Sequence, residues 1–346
     1  MALDTRPVRP PLLTLGEASE RLVSPFASDD YSAACGRPWV AVALEGELPP
    51  ARADALRTAL AGLACPTLAL AEDPEAPAAK ALVEAFDVAV EDRDALAALA
   101  ERIERNPIAS CALVQLLRGN RTRSIADALV AESFAYSTLQ AGPEFAAWLA
   151  GQPTLRPELP AEPPVRVERS DDRLELTLDD PARRNAYSAA MRDALCEGLR
   201  LAVADDSIRT IVLRGNGPAF CAGGDLDEFG LLADPATAHA IRTSRSAAAL
   251  LSVLAERVEV VLHGACVGAG IELASFAGRI QAAEDAYFLL PEVGMGLVPG
   301  AGGTVGIPRR IGAQRAARWM LSGTKLDLET ALAWGLIDAH AGSASS

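Results

Sequence analysis

The chain has 346 residues and a formal net charge of −14; half of its residues are hydrophobic, 23% are charged and 5% are aromatic. That is globular composition for one large domain or two modest ones, and it excludes a disordered or fibrous chain. The acidic excess argues against non-specific nucleic-acid binding, and no apolar run approaches the ~18–20 residues of a membrane span.

Met1–Pro11 carries Asp4, Arg6, Arg9 and three prolines without an apolar stretch, so no secretory signal is read there and a cytoplasmic location is expected. The six cysteines (Cys35, Cys65, Cys111, Cys196, Cys221, Cys266) are scattered without a C-x-x-C pair, which favours reduced thiols. With only three histidines (His239, His263, His340), no metal site and no cofactor are expected.

In chain order, Trp39–Leu44 reads as a strand, Ala51–Leu63 as a helix and Thr67–Leu70 as a strand. Phe86–Val90 (strand), Asp94–Arg105 (helix) and Ala112–Leu117 (strand) repeat the order, as do Arg173–Leu178, Ser188–Val203 and Thr210–Leu213. Short apolar strands alternating with helices predict an α/β class. Ser124–Ala150 reads as helical, with an apolar face of Ile125, Leu129, Ala131, Phe134, Tyr136 and Leu139, broken at Gly142-Pro143. Arg118, Arg121 and Arg123, just before it, read as a solvated loop. The clearest composition break is residues 151–165, with five prolines, which reads as an extended linker. The expected organisation is an N-terminal α/β domain over 1–150, the linker, and a second domain over 166–346.

Three glycine-rich segments follow strands in the second half: Gly215–Leu226 (GNGPAFCAGGDL), His263–Ala277 (HGACVGAGIELASFA) and Tyr287–Thr304 (YFLLPEVGMGLVPGAGGT). None carries a P-loop lysine, a G-x-G-x-x-G fingerprint or a G-x-S-x-G elbow, which excludes nucleotide hydrolysis, nicotinamide chemistry and the usual serine hydrolase. What is left is backbone N–H donors plus acids. The second segment leaves a strand, turns at Gly268 and starts an amphipathic helix near Ala269, where free N–H groups can stabilise an oxyanion. Glu272 falls about one turn later on the same face, and Glu292 follows the strand Tyr287–Leu290. Each acid alone has a bland reading: Glu272 as a helix-dipole complement, Glu292 as a satisfied structural group. Two acids on one oxyanion site are the constellation for moving a proton beside a thioester carbonyl. Cys221, Cys266 and the stretch Trp319–Leu321 read as packing residues, and His263 as a loop hydrogen bond.

The second half resembles the crotonase (enoyl-CoA hydratase/isomerase) superfamily through ARRNAYS (182–188), AFCAGGDL (219–226), HGACVGAGIELA (263–274), LPEVGMGLVPGAGGT (290–304) and GTKLDLETALAWGLID (323–338). The resemblance implies a spiral of β-β-α turns that binds an acyl-CoA thioester, with the backbone N–H groups of Gly224 and Ala269 as the oxyanion hole. Ala269 stands where the family usually has Gly. Arg184, Ala222, Asp225 and Leu226 are implied as CoA or substrate contacts. By the same analogy Glu272 activates water and Glu292 supplies the α-proton, which points to a lyase, an enoyl-CoA hydratase of fatty acid or secondary metabolism. An enoyl-CoA isomerase, a cofactor-independent arylacetyl-CoA oxygenase of the same fold, and a non-catalytic acyl-CoA-binding protein are the alternatives. The family analogy also implies a homo-oligomer, a trimer or dimer of trimers. The family usually continues with helices after GLID, whereas this sequence stops at Ser346; the N-terminal domain, a candidate degenerate half of the same spiral, is expected to cover the site instead. Phe229 as the sole aromatic from Asp227 to Leu254 hints at an aliphatic or alicyclic acyl group.

Overall fold

The computed structural model describes residues 11–153, 162–231 and 234–342. Residues 1–10, most of the proline-rich stretch and 343–346 lie outside them, as therefore do the expectations for the N-terminal segment, the centre of the linker and the last residues. The chain forms two compact units: residues 1–121 with 313–322, and residues 122–312 with 323–346. This division differs from the expected boundary at 151–165. Residues 122–150 belong with the second unit because their helices pack on it, and a proline-rich composition marks a connector without saying which side owns the helices before it.

In the first unit, β1 (Leu12–Leu13), β2 (Val40–Ala43), β3 (Thr67–Leu70) and β4 (Val88–Val90) form a parallel sheet in that order. The crossovers are α1 (Leu15–Arg21), α2 (Ala27–Asp30), α3 (Pro50–Gly62) and α4 (Pro77–Leu82); α5 (Arg93–Arg105) and α6 (Pro107–Asn120) follow β4. Val40, Val42, Leu56, Leu60, Leu82 and Phe86 are fully buried in its core. The strand expected at Ala112–Leu117 is instead the middle of α6. Pro107 starts that helix at a position where its missing N–H costs nothing, and Ala109, Leu113, Val114, Leu116 and Leu117 bury one helical face. A short apolar run looks alike in either conformation, so its flanks decide. Arg118 is not in a solvated loop either: it is largely buried in α6, with Nε 2.8 Å from Asp87 Oδ1 and N–H bonds to the carbonyls of Leu63 and Cys65.

The second unit opens with α7 (Ile125–Gln140) and α8 (Pro143–Ala150), then β5 (Val165–Ser170) and β6 (Arg173–Leu178) as a hairpin. After α9 (Ala189–Ala204) the chain spirals. β7 (Thr210–Gly215) and β8 (Ala219–Cys221) are followed by α10 (Pro235–Ser244) and α11 (Ala247–Leu254). β9 (Val258–Leu262) and β10 (Ala265–Val267) are followed by α12 (Ala269–Ala274), and β11 (Arg279–Ala282) and β12 (Tyr287–Leu289) by α13 (Gly303–Ile311). The chain leaves the unit for α14 (Ala313–Ser322), which packs in the first unit with Trp319 and Met320 buried, and returns through α15 (Leu328–Trp334) and β13 (Ala339–His340). The first strand of each turn joins a six-stranded sheet, β13-β11-β9-β7-β6-β5, and the second a three-stranded parallel sheet, β12-β10-β8. This is the expected β-β-α spiral. The buried face of α7 departs from expectation: Ala128, Glu132, Ser133, Ser137 and Leu139 point inward, while Phe134 is 57% exposed.

Candidate active site

The strands of the small sheet are parallel, so their carboxyl ends share one edge, with β10 between β8 and β12. Ligands of open α/β sheets bind beyond such edges. Gly224 follows β8 by three residues, Ala269 follows β10 by two, and Glu292 follows β12 by three. One edge therefore gathers the two donors and one of the acids.

The backbone there is shaped by glycine. Gly268 sits at φ 47°, ψ −120°, a region closed to other residues, and a Cβ on it would lie 2.6 Å from Glu292 Oε1 and 3.8 Å from Glu272 Oε1. Gly223, at φ 100°, brings its chain so close that a Cβ would be 3.3 Å from the Val267 carbonyl. Gly224 forms a parallel bridge with Tyr187 through Tyr187 N–H to Gly223 O (2.7 Å) and Asp225 N–H to Tyr187 O (3.4 Å). In that pattern the bridged residue's own N–H faces away from its partner. Ala269 opens α12, and a first-turn N–H has no acceptor within its helix. Among the described residues neither the Gly224 nor the Ala269 N–H has a hydrogen-bond partner.

A second set of amides is fully used. Ala301 and Gly303 donate to Glu272 Oε2 at 2.7 and 2.9 Å, while Gly302 donates to Glu132 Oε1 and Thr304 to Glu132 Oε2 at 2.7 and 2.9 Å. The Thr304 hydroxyl adds a bond to Glu132 Oε2 at 2.6 Å. Four successive N–H groups at the start of α13 thus alternate between two carboxylates, which satisfies donors that a helix start leaves over. The PGAGGT loop, phosphate-like in composition, is closed by the protein's own acids.

Glu272 and Glu132 are 2% exposed. Burial raises the Glu272 carboxyl above its ordinary value, and the Ala301 and Gly303 amides pull it back down. Glu132 is raised by burial and then by the Glu272 charge, against its three donors from Gly302 and Thr304. Glu292 is raised well above the usual range, first by burial and then by Glu272, and its Oε2 is buried without a partner among the described residues. The two acids differ in surroundings: Glu272 has two amide donors that favour its charged form, whereas Glu292 has a buried oxygen without a partner among the described residues and a carboxyl raised well above the usual range.

Residues 169–344, just over half of the chain, match the sequence profile of the enoyl-CoA hydratase/isomerase family. The chain belongs to this family, within the crotonase superfamily. It is 36% identical over 172 residues to the 2,3-dehydroadipyl-CoA hydratase of Escherichia coli, covering 49% of this chain and 66% of that protein. To the 1,2-epoxyphenylacetyl-CoA isomerase of the same organism it is 36% identical over 166 residues, covering 47% and 63%. The chain thus spans just under two thirds of these curated relatives. A crystal structure of an enoyl-CoA hydratase from Thermoplasma volcanium aligns with a TM-score of 0.48 at 34% identity, over 52% of this chain and 72% of that one.

Other motif positions of this family member are placed as follows. Arg184 is exposed at φ 54°, and its carbonyl accepts the Ala222 N–H at 3.0 Å. The buried Asp225 carboxylate is tied to Arg183 at 2.6 Å and caps Asp227 N–H at 3.1 Å, so its side chain fastens the loop. Leu226 is exposed. Asn185, fully buried, clamps the two motifs together: its amide donates to the carbonyls of Asn216, Ala219 and Phe220, and its oxygen accepts Asp180 N–H. Burial pushes the Cys221 thiol up to about 12, and Cys266 likewise upward, as suits packing residues. His263 Nε2 lies 2.9 Å from the Gly217 carbonyl, in a loop hydrogen bond. The helix expected to be amphipathic, α12, is buried all round.

Sequence reasoning missed three residues. Glu132 was hidden because an acid on a surface-like helix reads as solvated; its one signal was four-residue spacing from Ala128 on the buried side. Phe145 and Trp148 of α8 meet Phe229 at ring distances of 6.2 and 6.0 Å, and a Cβ on Gly224 would touch the Phe229 ring at 3.0 Å. Phe229 is therefore one member of an aromatic cluster beside the Gly224 turn.

Proposed function

We propose that the chain is an acyl-CoA-processing lyase that adds water across the 2,3 double bond of an enoyl-CoA thioester. The thioester oxygen is held by the Gly224 and Ala269 N–H groups. Glu272, whose Oε2 accepts from two amides that favour its carboxylate form, takes a proton from water through Oε1 as the oxygen bonds to Cβ. The electron pair moves to the thioester oxygen as an enolate, and Glu292 then gives its proton to Cα. Water has been added, and the proton now on Glu272 returns to Glu292 to reset the site. The observation that supports this reading is the unequal hydrogen bonding of the two carboxyls, two amide donors on Glu272 and a buried unpartnered oxygen on Glu292, which favours the first as base and the second as acid. An isomerase would shuttle one proton and has no need of the second acid so placed. Arg184, with its exposed guanidinium, is the proposed contact for CoA phosphates, and Ala222, Asp225 and Leu226 frame the loop along the CoA moiety.

The test is mass spectrometry of short, long and cyclic enoyl-CoAs after incubation with the protein and with Glu272→Gln. A product heavier by one water, absent with the variant, is expected. Unchanged mass with relocation of the double bond would replace hydration by isomerisation.

A further inference from the structure

Glu132 is a buried acid that the proposed reaction leaves without a task. It comes from α7, which precedes the residues that match the family profile and packs on α10, α11 and α13. Its target is the start of α13. From Ala301 to Thr304 the odd-numbered amides hold Glu272 and the even-numbered ones hold Glu132.

That row has little stiffness of its own. Three of the five residues from Gly300 to Thr304 are glycine, and Gly302 stands at φ 107°, a left-handed value that side chains rarely adopt. Glu272 is pressed against the row: a Cβ on Gly303 would lie 2.7 Å from Glu272 Cγ and 2.9 Å from its Oε2. Because the bonds alternate, the peptide planes cannot turn away from one carboxyl without straining the bonds to the other. Tyr136, one turn after Glu132 on α7, closes the same loop from outside, its ring leaving no room for a side chain on Gly300.

We propose that Glu132 is a positioning residue of the hydration reaction: by fixing Gly302 and Thr304 it keeps the Ala301 and Gly303 amides on Glu272 Oε2, and so keeps the base aimed. The inference rests on the reading of Glu272 as the base and adds what holds it. The Gly224 and Ala269 donors belong to other turns, so thioester binding does not depend on Glu132.

The surrounding charges are common to the parent and to any Glu132 variant. The Glu272 charge reaches Glu292, Tyr136, Tyr187 and Cys221. Arg242 of α10 faces Glu132, with Arg192 and Arg245 along the wall of the same cavity. Glu132 is raised by burial and then by the Glu272 charge, which favours its protonated form in the range where Glu272 ionises. Its loss therefore acts on Glu272 through the amides rather than through lost repulsion. Amide donors favour a carboxylate, so their release moves Glu272 ionisation to higher pH.

The test is the pH dependence of hydration by the full chain, on the best used of the short, long and cyclic enoyl-CoAs, for the parent, Glu132→Ala and Glu132→Gln. Calorimetry with unreactive hexanoyl-CoA follows binding separately. With Glu132→Ala, kcat is expected to fall about 10–10²-fold, as for a misplaced base, while hexanoyl-CoA binding changes by less than about twofold. The acid limb of the kcat profile is expected to move up by about one pH unit. Glu132→Gln, whose oxygen can still accept from Gly302, should recover part of both losses, and it carries the test with smaller shifts if Glu132→Ala does not fold. A kcat that neither substitution changes, an acid limb that stays in place or moves down, or binding that falls in step with kcat overturns the positioning role while leaving Glu272 as the base. Absence of hydration by the parent, or full activity of Glu272→Gln, overturns the hydration reading and this role together.

Discussion

Two sets of backbone donors stand within one unit of this protein, and they have opposite fates. At the start of α13 four consecutive N–H groups are taken up by Glu132 and Glu272. At the turn after β8 and β10 the Gly224 and Ala269 N–H groups have no partner among the described residues. Both sets come from glycine-rich loops, and composition does not tell them apart. The difference is what the fold aims at each. The filled set is structural and orients Glu272; the empty set is the proposed place for a ligand oxygen, since the chain itself supplies those N–H groups no acceptor among the described residues.

The comparison can be broken most forcefully at the residue that joins the two sets. Glu272→Gln keeps the shape but removes the base, and the hydration rate is expected to fall by about 10²–10⁴, measured as kcat on any enoyl-CoA that the protein turns over. Ala269→Pro attacks the empty set alone. Proline is tolerated at a first helical position, so folding by circular dichroism should persist while one donor is lost; kcat/KM is expected to drop about 10²–10³-fold. Glu132→Ala attacks the filled set. It strands the Gly302 and Thr304 donors in a buried site, and denaturant titration should show a loss of about 2–5 kcal/mol. Retained stability would show that the α13 amides find other partners.

The smallest effect sharpens the role of Glu292. Its folded pKa is raised, so the folded state keeps a proton that the unfolded state has lost. Its contribution to stability is thus fully present below the ordinary carboxyl range and fades as pH rises toward the raised value. Glu292→Gln, neutral at every pH, should melt at or above the parent near pH 8 and lose that advantage near pH 4, while its activity is abolished. The parent's activity should be bell-shaped in pH, with Glu272 ionisation on the acid limb and Glu292 ionisation on the alkaline limb.

Much of this was legible before the structure. The strands Thr67–Leu70 and Arg173–Leu178 fall where their apolar pattern puts them, and Gly268, Ala269 and Glu272 announce a strand, a turn and a helix start. What escaped were long-range facts. Ala112–Leu117 is apolar enough for a strand, and only Pro107 and the packing of one helical face make it part of α6. Glu132 lies 140 residues before Glu272 in the chain, and nothing local says that both reach one amide row. The same distance hides the meeting of Phe145 and Trp148 with Phe229 and the attachment of α7 and α8 to the second unit. Local periodicity encodes elements; which amides are filled is decided by packing.

The most direct test of that distinction is infrared difference spectroscopy of a saturated acyl-CoA labelled with ¹³C at the thioester carbonyl. On binding, the carbonyl stretch is predicted to move to lower frequency, to shift much less with Ala269→Pro, and to be unaffected by Glu132→Gln. An unshifted carbonyl, or a shift that Ala269→Pro leaves intact, would contradict the assignment of the empty donors as the oxyanion site.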